Sequence, residues 1–197
     1  GIVGIDLIVN VIVNNRKEVV KVVAGHYLEA YHQGVKLAKE LFEVPVKEKA
    51  DLIIASPGGF PKDLNVYQAQ KGLAHAARII KEQGVIILVA ECPEGFGDEK
   101  FKRTMKQFDN YDEVLADFQS RDFEVGVHKA FLWCKSLSLA QVYLVSRTID
   151  QAATKALMVK KASSIDGVIQ ELKDSLPNNP RVYVMPKANS TIPTVKS

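Results

Sequence analysis

Tyr67, Gln68 and Lys71 stand within two helical turns of one another in the run Asp63-Leu-Asn-Val-Tyr-Gln-Ala-Gln-Lys71. At 100° per residue they share one side of a helix with His75 and Arg78, while Val66, Ala69, Leu73, Ala76, Ala77 and Ile80 gather on the other side as core. The lysine offers a cation, the tyrosine a hydroxyl and the glutamine an amide. That set suits a carboxylate with a hydroxyl or carbonyl oxygen beside it. A solvated helix face is the plainer account of the same pattern. Upstream, Ser56-Pro-Gly-Gly-Phe-Pro61 places Gly58 and Gly59 between an apolar run and this helix. Free N–H groups and the helix dipole favour an anion at such a point; a tight strand-to-helix turn is the alternative use of paired glycines.

Other reactive side chains carry less. Glu91, Cys92 and Glu94 follow a second apolar run, with no adjacent histidine or metal partner, and are assigned a role in shaping their loop. No cation lies beside Cys92 in sequence to lower its pKa, so it is not read as a nucleophile. His26 and His32 fall on the surface of the first helix, and His128 caps or buttresses a later one. Cys92 and Cys134 have no CxxC spacing, which excludes a zinc knuckle and a disulfide framework and fits a reducing cytoplasm.

The elements that must position these groups follow from periodicity. Asp6–Val13 and Glu18–Ala24 are β-branched runs joined by Asn14-Asn15-Arg16-Lys17, a hairpin signature, and His26–Phe42 has helical spacing. Leu52–Ala55 and Val85–Ala90 are continuous apolar runs, as in strands buried on both faces. Between them the pattern predicts a helix from Leu64 to about Gln83, with Asp63 as N-cap and Gly84 as C′ residue. Phe96–Leu139 reads as helical throughout; a strand at Val142–Val145, helices started by Thr148 and Ser164 and a strand at Arg181–Met185 complete the alternation. The fold class expected is α/β: a mostly parallel sheet with helices on both faces, preceded by a short β-hairpin–helix unit. The divisions expected are residues 1–50 for that unit, 51–186 for the α/β domain, and 187–197 for a poorly ordered tail.

Composition narrows the function classes. The 197 residues are 47% hydrophobic and 25% charged with net charge +3, and neither a like-charge block nor basic-aromatic interleaving points to nucleic acid. The apolar runs are strand-sized, so no membrane span is expected. No GxGxxG follows either buried strand, which argues against a dinucleotide-dependent dehydrogenase. A non-catalytic α/β module that captures a small carboxylate or phosphate at Gly58-Gly59 is the alternative to an enzyme.

The run from Asp51 through Ser56-Pro-Gly-Gly59 to Tyr67-Gln-Ala-Gln-Lys71 resembles the C-terminal domain of the nickel-pincer lactate racemase family. Val89–Gly97, Gly126-Val-His-Lys-Ala130 and the opening hairpin and helix are similar to that family as well. The resemblance implies a 2-hydroxy-acid racemase or epimerase, with Lys71 and Gln68 as catalytic side chains facing the substrate. It implies that Tyr67 lines the substrate site, to which Gly58 and Gly59 are added as substrate-binding from their place before the helix. Family members also place a tryptophan near the substrate, for which Trp133 is the candidate because it is the only one. The nickel-pincer nucleotide, its lysine and nickel histidine, and the acid–base histidine pair would belong to an N-terminal half of the same protein. No segment here resembles that half, so the chain by itself is expected to hold no metal and to be inactive. Gly1, with no initiator Met, reads as a fragment boundary or an added residue.

Overall fold

The computed structural model describes residues 4–14 and 16–196. Asn15, in the expected hairpin turn, and Gly1 lie outside the described residues. Chain contacts separate two compact units, Gly1–Val44 and Pro45–Ser197, ahead of the division expected at residue 50.

In the first unit, β1 (Ile8–Val13) pairs antiparallel with β2 (Val19–Gly25), and α1 (Tyr27–Phe42) follows. Asn14 Oδ1 accepts from the N–H groups of Arg16 (2.8 Å) and Glu18 (3.0 Å), the side-chain turn that asparagine favours. Ile12, Val23 and Ala30 of α1 are buried, while Val9, Val11 and Val22 are each about half exposed. Val11 and Val22 are cross-strand partners. The hairpin therefore presents an apolar face as well as an inner one.

The second unit contains the end of β3 (Glu43–Val46), then β4 (Ala50–Ala55), α2 (Val66–Ala77) and β5 (Ile80–Val89). Three helices come next, α3 (Glu99–Gln107), α4 (Tyr111–Ser120) and α5 (Val127–Leu137). The chain continues through β6 (Ala140–Val145), α6 (Gln151–Ala156), β7 (Lys160–Ala162), α7 (Ile165–Leu172), β8 (Val182–Met185) and β9 (Ile192–Val195). Five strands form one sheet in the order β7-β6-β5-β4-β8, every neighbouring pair parallel. One face packs Ile53, Ile86 and Leu88 against Ala69 and Leu73 of α2, Phe101 of α3 and Ala130 of α5. The other packs Leu52, Val85, Ile87 and Tyr143 against Val168 and Leu172 of α7. A parallel sheet needs both faces covered, which accounts for the unbroken apolar runs in β4 and β5.

Several expectations are corrected. Helix α2 ends at Ala77, and the buried Ile79 and Ile80 lead into β5; their spacing mimics a further helical turn. Gln83, with φ 60°, takes the left-handed conformation that had been expected of Gly84, which lies within the strand. The stretch 96–139 is broken into three helices by the caps Asp98 and Asn110 and by Gly126 at φ 95°. Helix α6 starts at Asp150, which accepts from Ala153 N–H at 2.7 Å, and not at Thr148.

Residues 187–196 are tied to the rest of the second unit. Ala188 N–H donates to Ser56 O (2.8 Å), residues Ala188–Ser190 form a 3-10 turn, and Lys196 N–H donates to Val46 O (2.9 Å). The polar composition of this stretch had suggested a frayed tail. Its side chains are instead spent on hydrogen bonds to α2 and the loop before it.

Candidate functional site

The site is built where α2 leaves the loop that follows β4, at the C-terminal edge of the sheet. Asn65, not Asp63, caps the helix: its Oδ1 accepts from Gln68 N–H at 3.0 Å. The loop after β5 then closes over the first turn. Gly95 O accepts from Val66 N–H (2.9 Å) and Phe96 O from Tyr67 N–H (3.1 Å). Asn65 Nδ2 donates to Glu94 Oε2 (3.1 Å), and Cys92 N–H and Glu94 N–H donate to Asp63 O and Leu64 O. Gly97 permits this closure, for a Cβ on its backbone would fall 2.1 Å from Asn65 Cγ. Glu94 thus shapes its loop, as Glu91 does through Arg147 (3.2 Å).

The expected anion position at Gly58-Gly59 is corrected by the same geometry. The first-turn N–H groups of α2 are all engaged, and the helix begins well beyond the two glycines. Gly58 N–H is itself donated to Ser56 Oγ (3.2 Å), and Gly59 O accepts from Lys62 N–H (2.8 Å). Both glycines have positive φ, 109° and 72°, so they form the tight turn that was the other reading. Gly58 lies against Lys187 of the final loop.

On α2, Val66, Ala69, Leu73, Ala76 and Ala77 are buried, Tyr67 and Gln68 half-buried and Lys71 exposed. The polar face is flanked on both sides. On one side Asn189 Nδ2 donates to Gln68 O (3.1 Å) and His75 Nδ1 donates to Ala188 O (2.6 Å). On the other stands Lys129 of α5, only 9% exposed, with Nζ 3.2 Å from Gln70 Oε1 and 5.1 Å from the centre of the Tyr67 ring. Burial, and then the charge of Lys71, pull the Lys129 pKa below the ordinary lysine value. Neither Lys71 nor Lys129 forms an ion pair with a carboxylate among the described residues.

Sequence reasoning missed Lys129 and Gln70. The Gly126–Ala130 segment had drawn attention to His128, whose Nδ1 accepts from Gly126 N–H (3.2 Å) at the start of α5. A lysine three residues into a helix gives no sign in sequence that it is buried.

Trp133 is the second correction to the site. It is fully buried, its Nε1–H donates to Leu157 O at 2.8 Å, and its ring meets Phe101 edge-on at 6.5 Å. Phe101 in turn meets the Tyr67 ring edge-on at 6.3 Å. The indole is therefore core support two rings behind Tyr67, not a substrate contact. Cys92 and Cys134 are buried as well, and burial pushes each thiol up to about 12. Among the described residues no group of three or more histidine, cysteine, aspartate or glutamate side chains is placed to hold a metal ion.

Residues 46–192 match the family model described as the lactate racemase C-terminal domain. The chain belongs to this family. It is 28% identical over 192 residues to a lactate racemase of Thermoanaerobacterium thermosaccharolyticum, covering 96% of this chain and 45% of that protein. To a lactate racemase of Lactiplantibacillus plantarum it is 37% identical over 108 residues, 55% of this chain and 25% of that protein. The structure of the lactate racemase apoprotein from T. thermosaccharolyticum superimposes with a TM-score of 0.87 at 27% identity, over 98% of this chain and 46% of that one. A Thermotoga maritima protein shares the fold, with a TM-score of 0.65 at 12% identity. The lactate racemase C-terminal domain found here thus spans less than half the length of the relatives it matches. Among the described residues no helix is long and apolar enough to cross a membrane.

Proposed function

We propose that this chain is the substrate-side half of a 2-hydroxy-acid racemase or epimerase, in which Lys71, Gln68 and Tyr67 hold the substrate. One observation carries the reading. Lys71 stands exposed on the first two turns of α2 with no carboxylate partner among the described residues, beside an amide and a phenol on the same face. A 2-hydroxy acid brings one carboxylate and one neighbouring hydroxyl. The ammonium donates to the carboxylate, or to the oxygen that becomes a carbonyl, while Gln68 and Tyr67 fix its orientation. Gly58 and Gly59 contribute the tight turn that leads from β4 towards α2.

In this proposal the α-carbon is inverted by a hydride that leaves and returns on either face, and no side chain accepts a hydride. A nickel-pincer nucleotide carried on the N-terminal half of the same protein supplies that chemistry in this proposal. The contribution of the present chain is orientation and electrostatic stabilisation. Its partners are then a small 2-hydroxy acid and the N-terminal half, with neither nucleic acid nor membrane, in the cytoplasm.

The test compares the 197-residue chain with the protein that contains both halves. Alone, the chain is expected to bind no stoichiometric nickel and to leave D- and L-lactate unchanged. The cofactor-loaded complete protein is expected to interconvert the enantiomers of lactate or of another 2-hydroxy acid. Racemisation by the chain alone overturns the division of labour. A nickel-loaded complete protein inert towards every 2-hydroxy acid tried overturns the function.

A further inference from the structure

Lys129 is a buried titratable side chain of this site that the proposed chemistry does not use. It projects from the third position of α5 into the space beneath Tyr67 and is almost entirely withdrawn from water. An ammonium has three donors, and Lys129 spends one on Gln70 Oε1. Gln70 is 1% exposed, and its Nε2 has no hydrogen-bond partner among the described residues. A buried amide donor thus lies without an acceptor next to an ammonium whose one hydrogen bond goes to the same amide. The remaining contact of the ammonium is the face of the Tyr67 ring, a cation–π arrangement. Because Phe101 meets the same ring edge-on, Tyr67 is gripped from two directions.

The charges on the surrounding elements do not neutralise this cation. From α2 come Lys71, which repels it, and the phenol of Tyr67. From α3 and α4, Lys100 pairs with Glu124 (2.7 Å), Lys102 with Glu99 (3.2 Å) and Arg121 with Asp117. Asp98, at the cap of α3, accepts from Phe101 N–H, strand β6 brings no charged residue, and on α5 itself Lys135 is exposed and His128 is engaged with Gly126 N–H. Burying an uncompensated ammonium beside a second one is costly, and side chains of this kind persist where they serve a bound anion or a reaction.

We propose that Lys129 is an unassigned positioning residue of the racemase site: it holds the Tyr67 ring and Gln70 in place and sets a second unneutralised ammonium beside Lys71, so that the substrate carboxylate completes the charge balance. This rests on the reading of the polar face of α2 as substrate-facing. Substrate binding and protonation of Lys129 are then linked, each favouring the other.

The first measurement is the titration of the Lys129 ε-amine by NMR in the 197-residue chain, in wild type and in Lys71→Met. Lys129 is expected to lose its proton below the ordinary lysine range, and to hold it to higher pH when Lys71 is replaced. An ordinary titration that ignores Lys71→Met overturns the proposal, and this measurement needs no Lys129 variant to fold. The second uses the complete, cofactor-loaded protein with D-lactate. Lys129→Met is expected to lower kcat/KM at neutral pH by about tenfold, the scale of one lost charge-assisted contact. The alkaline limb of its pH profile is expected to move to higher pH. Lys129→Arg, which keeps the charge, is expected to recover most of the rate with the limb still displaced. A merely structural lysine would leave that limb where it is, and an unmoved limb in a folded Lys129→Met protein overturns the proposal. The two readings fail separately. Wild-type kcat/KM in Lys71→Met removes the substrate-facing role of α2, whereas an inactive Lys71→Met protein beside a Lys129→Met protein with a wild-type profile removes only the role of Lys129.

Discussion

The two faces of α2 differ in what burial does for them. On the inner face, Ala69, Leu73 and Ala76 are sealed against the sheet, and each apolar surface removed from water adds stability. On the outer face, burial falls on polar groups: Gln70 has an unsatisfied amide and Lys129 an ammonium without a counter-charge, while Lys71 is left in the open. The inner face is what a sequence optimised for folding produces. The outer face gives up stability and gains a fixed array of donors, a trade common where a site must be organised before its ligand arrives. One twelve-residue helix therefore serves both ends.

Changes on the inner face should damage folding and spare the chemistry of whatever remains folded. Leu73 is fully buried in the cluster that joins α2 to the sheet. Leu73→Ala is expected to cost about 2–5 kcal/mol, transfer and cavity terms together. Urea denaturation of the chain measures it. A loss below ~1 kcal/mol would mean that α2 repacks freely, and the contrast between its faces would dissolve.

Changes on the outer face should do the reverse. Lys71→Ala in the complete protein is expected to lower kcat/KM by at least about tenfold, and by about a hundredfold where the lysine meets charge that develops in a dry site. Unfolding free energy should stay within about 0.5 kcal/mol, because an exposed side chain with no partner leaves nothing behind. Gln68→Ala is expected to do less, since a neutral amide donates a weaker bond than an ammonium. Nickel content and a thermal melt are recorded beside the kinetics. Wild-type kcat/KM in a folded, nickel-loaded Lys71→Ala protein would make this lysine an ordinary surface residue.

That contrast was only half legible in the sequence. The apolar runs of β4 and β5 and the inner face of α2 announce themselves through local periodicity, because each residue there answers to the same layer. The outer face was read as a row of side chains open to solvent or to substrate. It is instead flanked by Lys129 and by Asn189, residues about 60 and 120 positions away, and pairings at that separation leave no periodic trace. The same limit explains Trp133. The family resemblance implied a tryptophan near the substrate, yet only the packing of α5 shows its N–H given to Leu157 and its ring hidden behind Phe101. The cap of α2 failed for a smaller reason: Asp63 and Asn65 are both good caps, and the loop after β5 selects Asn65 by hydrogen-bonding the first turn.

The smallest expected effect sharpens the comparison most, because its sign is opposite to the usual one. In the folded chain Lys129 has a pKa lowered from 10.5, by burial first and by Lys71 second. The unfolded chain therefore holds this proton more tightly than the native one. At pH values below the lowered pKa the penalty is complete. It is relieved as pH rises from that value to 10.5, and above 10.5 both states are neutral and it is gone. Replacing Lys129 alone would strand Gln70, so the test removes both partners at once. The double variant Lys129→Met, Gln70→Leu exchanges a buried donor pair for apolar groups of similar size, a change that is often neutral or stabilising. Near neutral pH it is expected to raise Tm by about 2–4 °C, the shift that ~1 kcal/mol produces in a protein of this size. The gain should shrink steadily as the pH approaches 10.5, because wild type recovers what the variant never lost. A double variant that melts below wild type at every pH would show that Lys129 is stabilising where it stands, and the outer face of α2 would then be packing like the inner one.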